Sequence, residues 1–255
     1  MAMTDVAPLL SSLETGPISI QGQFIEGTNY TFLVEIKHAE LTLNGVYKPV
    51  RGERRLWDFP ALSLAGREVA AYVLSKELGW GLVPPTVYRE EGPLGPGSVQ
   101  LFVQHDPNYH YFNLSEPDRQ LLRPAVLFDV LANNADRKGS HILLGEGAER
   151  RPTFRPRHIW LIDHGVCFHV EEKLRTVVWD FAGEPVPKDL LSDVNALRRD
   201  LKSTRGTKSE LAMHLKRYIN AAEVAAIVRR ADAILASGHF PEPDPYRRCY
   251  PWPPV

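Results

Sequence analysis

The chain reads as mainly strands up to about residue 105 and mainly helices beyond it, which limits the compact folds open to it. Before that point the pattern is strand-like and β-branched; after it the apolar residues recur at helical spacing. Ile18 to Ile25 (ISIQGQFI), Tyr30 to Ile36 (YTFLVEI) and Leu41 to Val50 (LTLNGVYKPV) read as an antiparallel meander. One helix over 67–78 follows, with Val69/Val73 and Ala70/Leu74/Leu78 as its apolar stripe and Gly79 as its stop. Val83 to Tyr88 and Ser98 to Gln104 add two strands. The expected class is therefore α+β: an antiparallel five-stranded lobe carrying one helix, then a mainly helical lobe. We place the boundaries at 1–17 for an N-terminal segment, 18–104 and 105–240 for the two lobes, and 241–255 for a tail with six prolines.

In the second half, Ser115-Glu116-Pro117-Asp118 has the residues of a helix start. The run QLLRPAVLFDVLA is apolar nearly all round, and Pro124 must kink or split it. Short strands are expected around Ile142–Leu144 and Ile159–Ile162, separated by a charged loop. Helices near 188–201, 207–219 and 221–236 close the domain, with capping signals at Thr207…Glu210 and Asn220…Glu223. Two lobes leave a cleft between them, where ligands tend to bind.

Charge narrows the partners. Thirty Lys+Arg against 31 Asp+Glu give a formal net charge of -1, too little field to hold a nucleic acid backbone. No polybasic stretch suits stable membrane association. The opening MAMTDVAPLLSSLETG has no positive n-region or long apolar core, and only two cysteines are present, which together point to a cytoplasmic protein.

Three features could carry chemistry. Asn133-Asn134-Ala135-Asp136-Arg137-Lys138-Gly139-Ser140-His141 packs polar groups between a core helix and a core strand, where a loop is pinned at both ends. Leu161-Ile162-Asp163-His164-Gly165 puts an acid at a strand end, suited to holding a divalent cation. Lys48 lies on an apolar strand, and Glu68, opening the next helix, could be its partner. Each has a plain alternative: a polar turn, a strand-ending turn, a solvent-facing lysine, an acid favoured by the helix dipole. Their order matters more than any one of them. A turn between strands, a strand Lys, a helix Glu, a D-x-K…H loop and then D-x-G is the order of parts in a kinase-type phosphoryl-transfer site.

On these residues the chain, over about 18–236, resembles the atypical branch of the protein-kinase-like superfamily, nearest the phosphatidylinositol 3- and 4-kinase family and its small bacterial relatives. That family writes D-R-x-x-x-N and I-D-x-G; Asp136-Arg137 through His141, and Ile162-Asp163-His164-Gly165, match them here. The resemblance implies a two-lobed kinase-like fold that binds ATP with Mg²⁺ or Mn²⁺ and transfers the γ-phosphate to a hydroxyl of a protein, of the chain itself, of a small molecule or of a lipid. It implies that Lys48 binds the α/β-phosphates, Glu68 pairs with it, and Gly27, Thr28 and Asn29 cover the phosphates. Leu101, Phe102 and Val103 would lead to the adenine-binding hinge, with Leu143 and Ile162 as the floor. Asp136 would be the base, Lys138 would steady the γ-phosphate, and Asp163 would be the principal metal ligand. His141 stands where the family has a ligating Asn, which favours Mn²⁺ or weakens the metal site. The alternative is a nucleotide-binding pseudokinase scaffold without turnover. A metal hydrolase built on His164, Cys167 and His169, of which Cys167 and His169 would share one face of a strand, would need a second ligand cluster, which the sequence lacks. The tail YRRCYPWPPV could dock a partner, or simply pack on its own domain through Tyr250 and Trp252.

Overall fold

The computed structural model describes residues 6–25, 29–38, 41–146, 157–203 and 209–255. Strands β1 (Ile18–Phe24), β2 (Thr31–His38) and β3 (Leu41–Pro49) pair antiparallel in chain order. With β4 (Thr86–Arg89) and β5 (Gly97–Leu101) they form one sheet of order β1-β2-β3-β5-β4. Alternation along β2 buries Phe32, Val34 and Ile36 on one face. Helix α1 (Ala7–Thr15), not expected from the sequence, covers that face: its Leu13 joins Phe32, Val34, Ile36, Tyr47 and Val99 in a small core. Arg89 fixes the end of α1 by donating to the Gly16 carbonyl at 2.7 Å.

Helix α2 (Leu64–Glu77) starts three residues earlier than the apolar stripe suggests. Its cap is distant in sequence. The Glu53 carboxylate accepts from the Leu64 and Ala65 amides at 3.1 and 2.8 Å, satisfying two of the open N–H groups. Ser63, the residue before the helix, makes no side-chain cap and donates to the Pro60 carbonyl. Glu68 therefore lies in the second turn, not at the helix opening, and the dipole explanation for an acid there does not apply.

Pro124 splits the long apolar run into α3 (Glu116–Gln120) and α4 (Arg123–Ala132). It sits in the first turn of α4, where its missing N–H leaves no bond unmade. Strands β6 (Ile142–Glu146) and β7 (Arg157–Leu161) pair antiparallel, and most of the charged loop between them lies outside the described residues. Helices α5 (Lys188–Leu201), α6 (Glu210–Leu215) and α7 (Ala221–Ser237) follow. Thr207, the expected start of the second of these, lies outside the described residues, and Ser209 caps α6 by accepting from the Ala212 amide. Asn220 and Glu223 form the expected capping box on α7, and Gly238, at φ 64°, ends it. The main core joins Val69, Val73 and Leu74 of α2 to Leu127, Phe128 and Leu131 of α4 and to Val194 and Ile227 of α5 and α7.

The segment after α7 is extended, as its prolines require. It packs on the domain through buried Cys249 and Pro251; of the anchors expected from the sequence, Tyr250 meets the Trp179 ring edge-on at 6.4 Å, whereas Trp252 is 78% exposed, which corrects that one. Among the described residues no helix is long and apolar enough to cross a membrane.

Candidate active site

Tyr47 points into the sheet core, so the pleat turns its neighbour Lys48 to the opposite face. There the Lys48 ammonium bonds to Glu68 Oε1 of α2 and, at 2.9 Å, to Asp163 Oδ1 just beyond β7. These residues are 20 and 115 positions away in the chain. Burial alone would lower the Lys48 pKa; the two carboxylates outweigh it and raise it. The Lys48 charge in turn holds Asp163 well below the usual carboxylate range. Burial pushes Glu68 up, against the pull of Lys48. Asp163 reaches this position through a left-handed backbone, φ 62°, an uncommon conformation for a residue with a side chain.

The loop after α4 is held from below. Asn133 ends the helix in the left-handed region at φ 51°, and its amide group donates to the His169 and Glu171 carbonyls. Asn134, fully buried, donates to Asp129 and accepts from the Asp136 amide at 2.9 Å. Arg137, also fully buried, makes a fork with Asp129 and donates to the carbonyls of His141 and Ile162. With the backbone so fixed, Asp136 and Lys138 lie on the open side, their charged atoms 3.3 Å apart. Burial raises the Asp136 pKa, and Lys138 opposes the shift. Gly139 allows a close approach: a Cβ there would stand 2.6 Å from the Phe112 ring.

His141 closes the loop with Nε2 3.3 Å from Asp163 Oδ2 and Nδ1 3.0 Å from the Asp136 carbonyl. Burial lowers its pKa to about 4, so the ring is neutral at ordinary pH. A carbonyl can only accept, so Nδ1 carries the proton and Nε2 presents its lone pair to Asp163. The Lys138 amide, 3.5 Å from Nδ1, is beyond ordinary hydrogen-bond length.

The structure thus brings Lys48, Glu68, Asp163 and His141 into one contact chain, with Asp136 and Lys138 on the loop that ends in His141. Gly27 and Thr28 lie outside the described residues. Asn29, at the end of that turn, accepts from the Arg54 amide at 2.8 Å. Leu101 ends β5, and Phe102 and Val103 follow it, with the Phe102 amide donating to the Asn44 carbonyl. The bridge between His105 and Gly145 draws this strip against β6. Gly145 eases this approach, since a Cβ there would stand 3.1 Å from a Val103 methyl group and from the Gln104 carbonyl. Leu143, on β6, and Ile162, after β7, lie on the two strands of that small sheet and its exit. The hydrolase arrangement is not formed: Phe168, at φ 69°, breaks any strand through Cys167 and His169. Among the described residues no group of three His, Cys, Asp or Glu side chains surrounds a common point.

Sequence reasoning placed Asn134 and Arg137 in the loop but not their role beneath it, and it missed Asp129 and, at the start of α2, Glu53. One signal was readable. An aspartate inside the apolar run AVLFDVLA has to find a buried partner, and the next arginine is eight residues on.

No family model matches the chain. Protein Rv2133c of Mycobacterium tuberculosis is 39% identical, with 94% of this chain and 93% of that protein covered. The chain belongs to the Rv2133c family. Several solved structures share the fold of this Rv2133c-family chain. Hydra Fam20 with sugar has a TM-score of 0.58 at 14% identity, covering 93% of this chain and 90% of its own. The Golgi casein kinase with Mn and ADP bound has 0.54 at 17%, covering 94% and 80%. The Helicobacter pylori proinflammatory kinase CtkA has 0.52 at 12%, covering 89% and 96%. The fold is therefore kinase-like, with an antiparallel N-terminal sheet and a helical C-terminal part. The likeness to phosphatidylinositol 3- and 4-kinases expected from sequence is supported at this level of the fold only.

Proposed function

We propose that the protein is a metal- and ATP-dependent phosphotransferase that moves the γ-phosphoryl group of ATP to an acceptor hydroxyl. The observation that carries this reading is the Lys48 ammonium held between Glu68 and Asp163, three residues from distant parts of a kinase-like fold. A strand lysine paired with a helix glutamate is what grips nucleotide phosphates in such folds. In this reading Gly27, Thr28 and Asn29 cover the phosphates, Leu101 to Val103 border the adenine, and Leu143 and Ile162 lie beneath it. Lys48 trades its Asp163 contact for phosphate oxygens when nucleotide enters.

The residues present fit a divalent cation. His141 Nε2 and Asp163 Oδ2 face each other at 3.3 Å with no proton between them, so two lone pairs converge. Asp163 and His141 would hold the ion, with phosphate oxygens and water completing its shell. The ion would supply charge neutralisation at the phosphates, and an imidazole ligand favours Mn²⁺ over Mg²⁺. The Golgi casein kinase, which shares the fold, has Mn and ADP bound.

Asp136 takes the proton of the acceptor hydroxyl as its oxygen bonds to phosphorus and the bond from phosphorus to ADP breaks. The raised Asp136 pKa makes it a better proton acceptor than an exposed aspartate. Lys138 steadies the transferring group. The acceptor is a hydroxyl of a protein, of this chain, of a small molecule or of a lipid; the net charge of -1 gives least support to the last.

Intact-mass spectrometry after incubation with ATP and either metal tests the reading. We expect a phosphoryl adduct on the chain or on an added protein or small-molecule acceptor, faster with Mn²⁺. Asp136→Ala should lose transfer and keep nucleotide binding, and Asp163→Ala should lose metal-dependent binding. Transfer by Asp136→Ala at the wild-type rate would overturn the assignment, and nucleotide binding without transfer in the wild type would leave a scaffold.

A further inference from the structure

His164 follows Asp163 and is fully buried, yet one of its ring nitrogens has no hydrogen-bond partner. The other nitrogen fixes its chemistry. Arg137 Nη2 stands 2.8 Å from His164 Nε2, and a guanidinium has protons but no lone pairs. Nε2 must therefore accept, and the ring proton sits on Nδ1. That Nδ1–H is the group without a partner. The nearest carboxylate is Glu68 Oε2, 3.9 Å away, whose other oxygen binds Lys48. Glu68 Oε2 already accepts from the His164 backbone amide at 2.9 Å.

We propose that His164 is a positioning residue for the proposed phosphoryl transfer, tying Glu68 of α2 to the buried Arg137–Asp129 pair beneath the catalytic loop. The chain of contacts runs Asp129–Arg137–His164–Glu68–Lys48 and crosses from the helical part to the sheet. A shift of the Glu68 carboxylate by about 1 Å brings Nδ1 and Oε2 to hydrogen-bond distance. The donor without a partner is thus spare capacity that is used when that carboxylate resettles on nucleotide entry. A phenylalanine would fill the same space against Phe128, whose ring meets His164 edge to face at 5.6 Å, but would make neither bond.

This inference rests on the phosphotransferase reading for its consequence but not for its geometry, so two measurements separate them. The first needs no turnover. In ¹⁵N-histidine spectra of the wild-type chain, with the His164 ring assigned through its contacts to Phe128, we expect Nδ1 protonated and Nε2 bare at pH 7. The Nδ1–H resonance should move downfield when a non-hydrolysable ATP analogue and Mg²⁺ are added. A proton on Nε2 overturns the proposal. The second is a mutant cycle on transfer rate. His164→Phe and Glu68→Gln should each lower kcat at least tenfold, and the double variant should be no slower than Glu68→Gln. Multiplying losses would show that His164 acts independently of Glu68 and would overturn the tether. If the wild type transfers nothing, the phosphotransferase reading fails while the tautomer still decides the tether.

Discussion

Replacing Asp129 by alanine tests the idea that the loop bearing Asp136 is held by charge from beneath. Arg137 is fully buried, and Asp129 supplies both oxygens of its fork. Without Asp129 the guanidinium keeps only the carbonyls of His141 and Ile162 and the His164 nitrogen, none of which carries charge. Removing one partner of a buried pair costs about 3–5 kcal/mol, because the remaining charge stays desolvated. In a domain of this size each kcal/mol lowers the melting temperature by about 2–4 °C, so a fall of roughly 6–20 °C is expected. Asp129→Asn keeps the shape and an accepting oxygen and should fall less. The control is Asp232, whose contacts with Arg198 and Lys202 lie at the surface; Asp232→Ala should leave melting almost unchanged. Differential scanning calorimetry reads all three. A shift below about 2 °C for Asp129→Ala would show that Arg137 reaches water or another anion, and the reasoning would fail.

Three further outcomes follow from the packing. Leu13→Ala should destabilise the chain by about 2–5 kcal/mol in urea titration, since Leu13 is the fully buried contact of α1 with the sheet core. Truncation before Cys249 removes the carbonyls that accept from the Thr176 and Gly139 amides. It should lower the melting temperature and speed amide exchange at Gly139 and Thr176. His158 donates to the Gly81 carbonyl, and burial lowers its pKa, so its native form resists protonation. The unfolded chain then binds the extra proton first, and stability is lost as pH falls below the ordinary histidine range, by at most about 1.4 kcal/mol per pH unit. His158→Gln should flatten that loss in urea titrations between pH 7.5 and pH 5.5.

Strand alternation and helix caps made most elements readable, and the charged residues that meet around Lys48 were readable too. Lys48, Glu68, Asp136 and Asp163 stand out because charged groups on apolar elements are unusual. What stayed hidden depends on partners far away in the chain. The start of α2 is set by Glu53, eleven residues before Leu64, while the local serine bonds elsewhere. The short helix α1 has weak local propensity and exists because the sheet needs a cover over Phe32, Val34 and Ile36. The tail was read through its large aromatics, but the structure buries its small residue Cys249 and leaves Trp252 outside. His164 was visible only as the variable position of I-D-x-G, and its hydrogen bond to a buried arginine could not be read from that.

The cores divide differently from the chain. Val69, Val73 and Leu74 of α2 belong to the same buried cluster as α4, α5 and α7, while the sheet forms its own small core with α1. Arg67, beside Glu68, strengthens this attachment: nearly fully buried, it donates to Glu223 of α7 at 2.7 Å and to the Cys167 carbonyl. Adjacent residues of α2 with opposite charge thus both anchor the helix to the C-terminal half. The Lys48–Glu68 ion pair joins the sheet to this unit, and so does the Lys48–Asp163 pair. Any relative motion of sheet and helices must carry these two pairs with it, together with the packing of α2 on β4 and β5. Binding of a polyanion at Lys48 would then be coupled to lobe closure through a single side chain. This explains why the lysine is held at rest by two carboxylates rather than left to solvent.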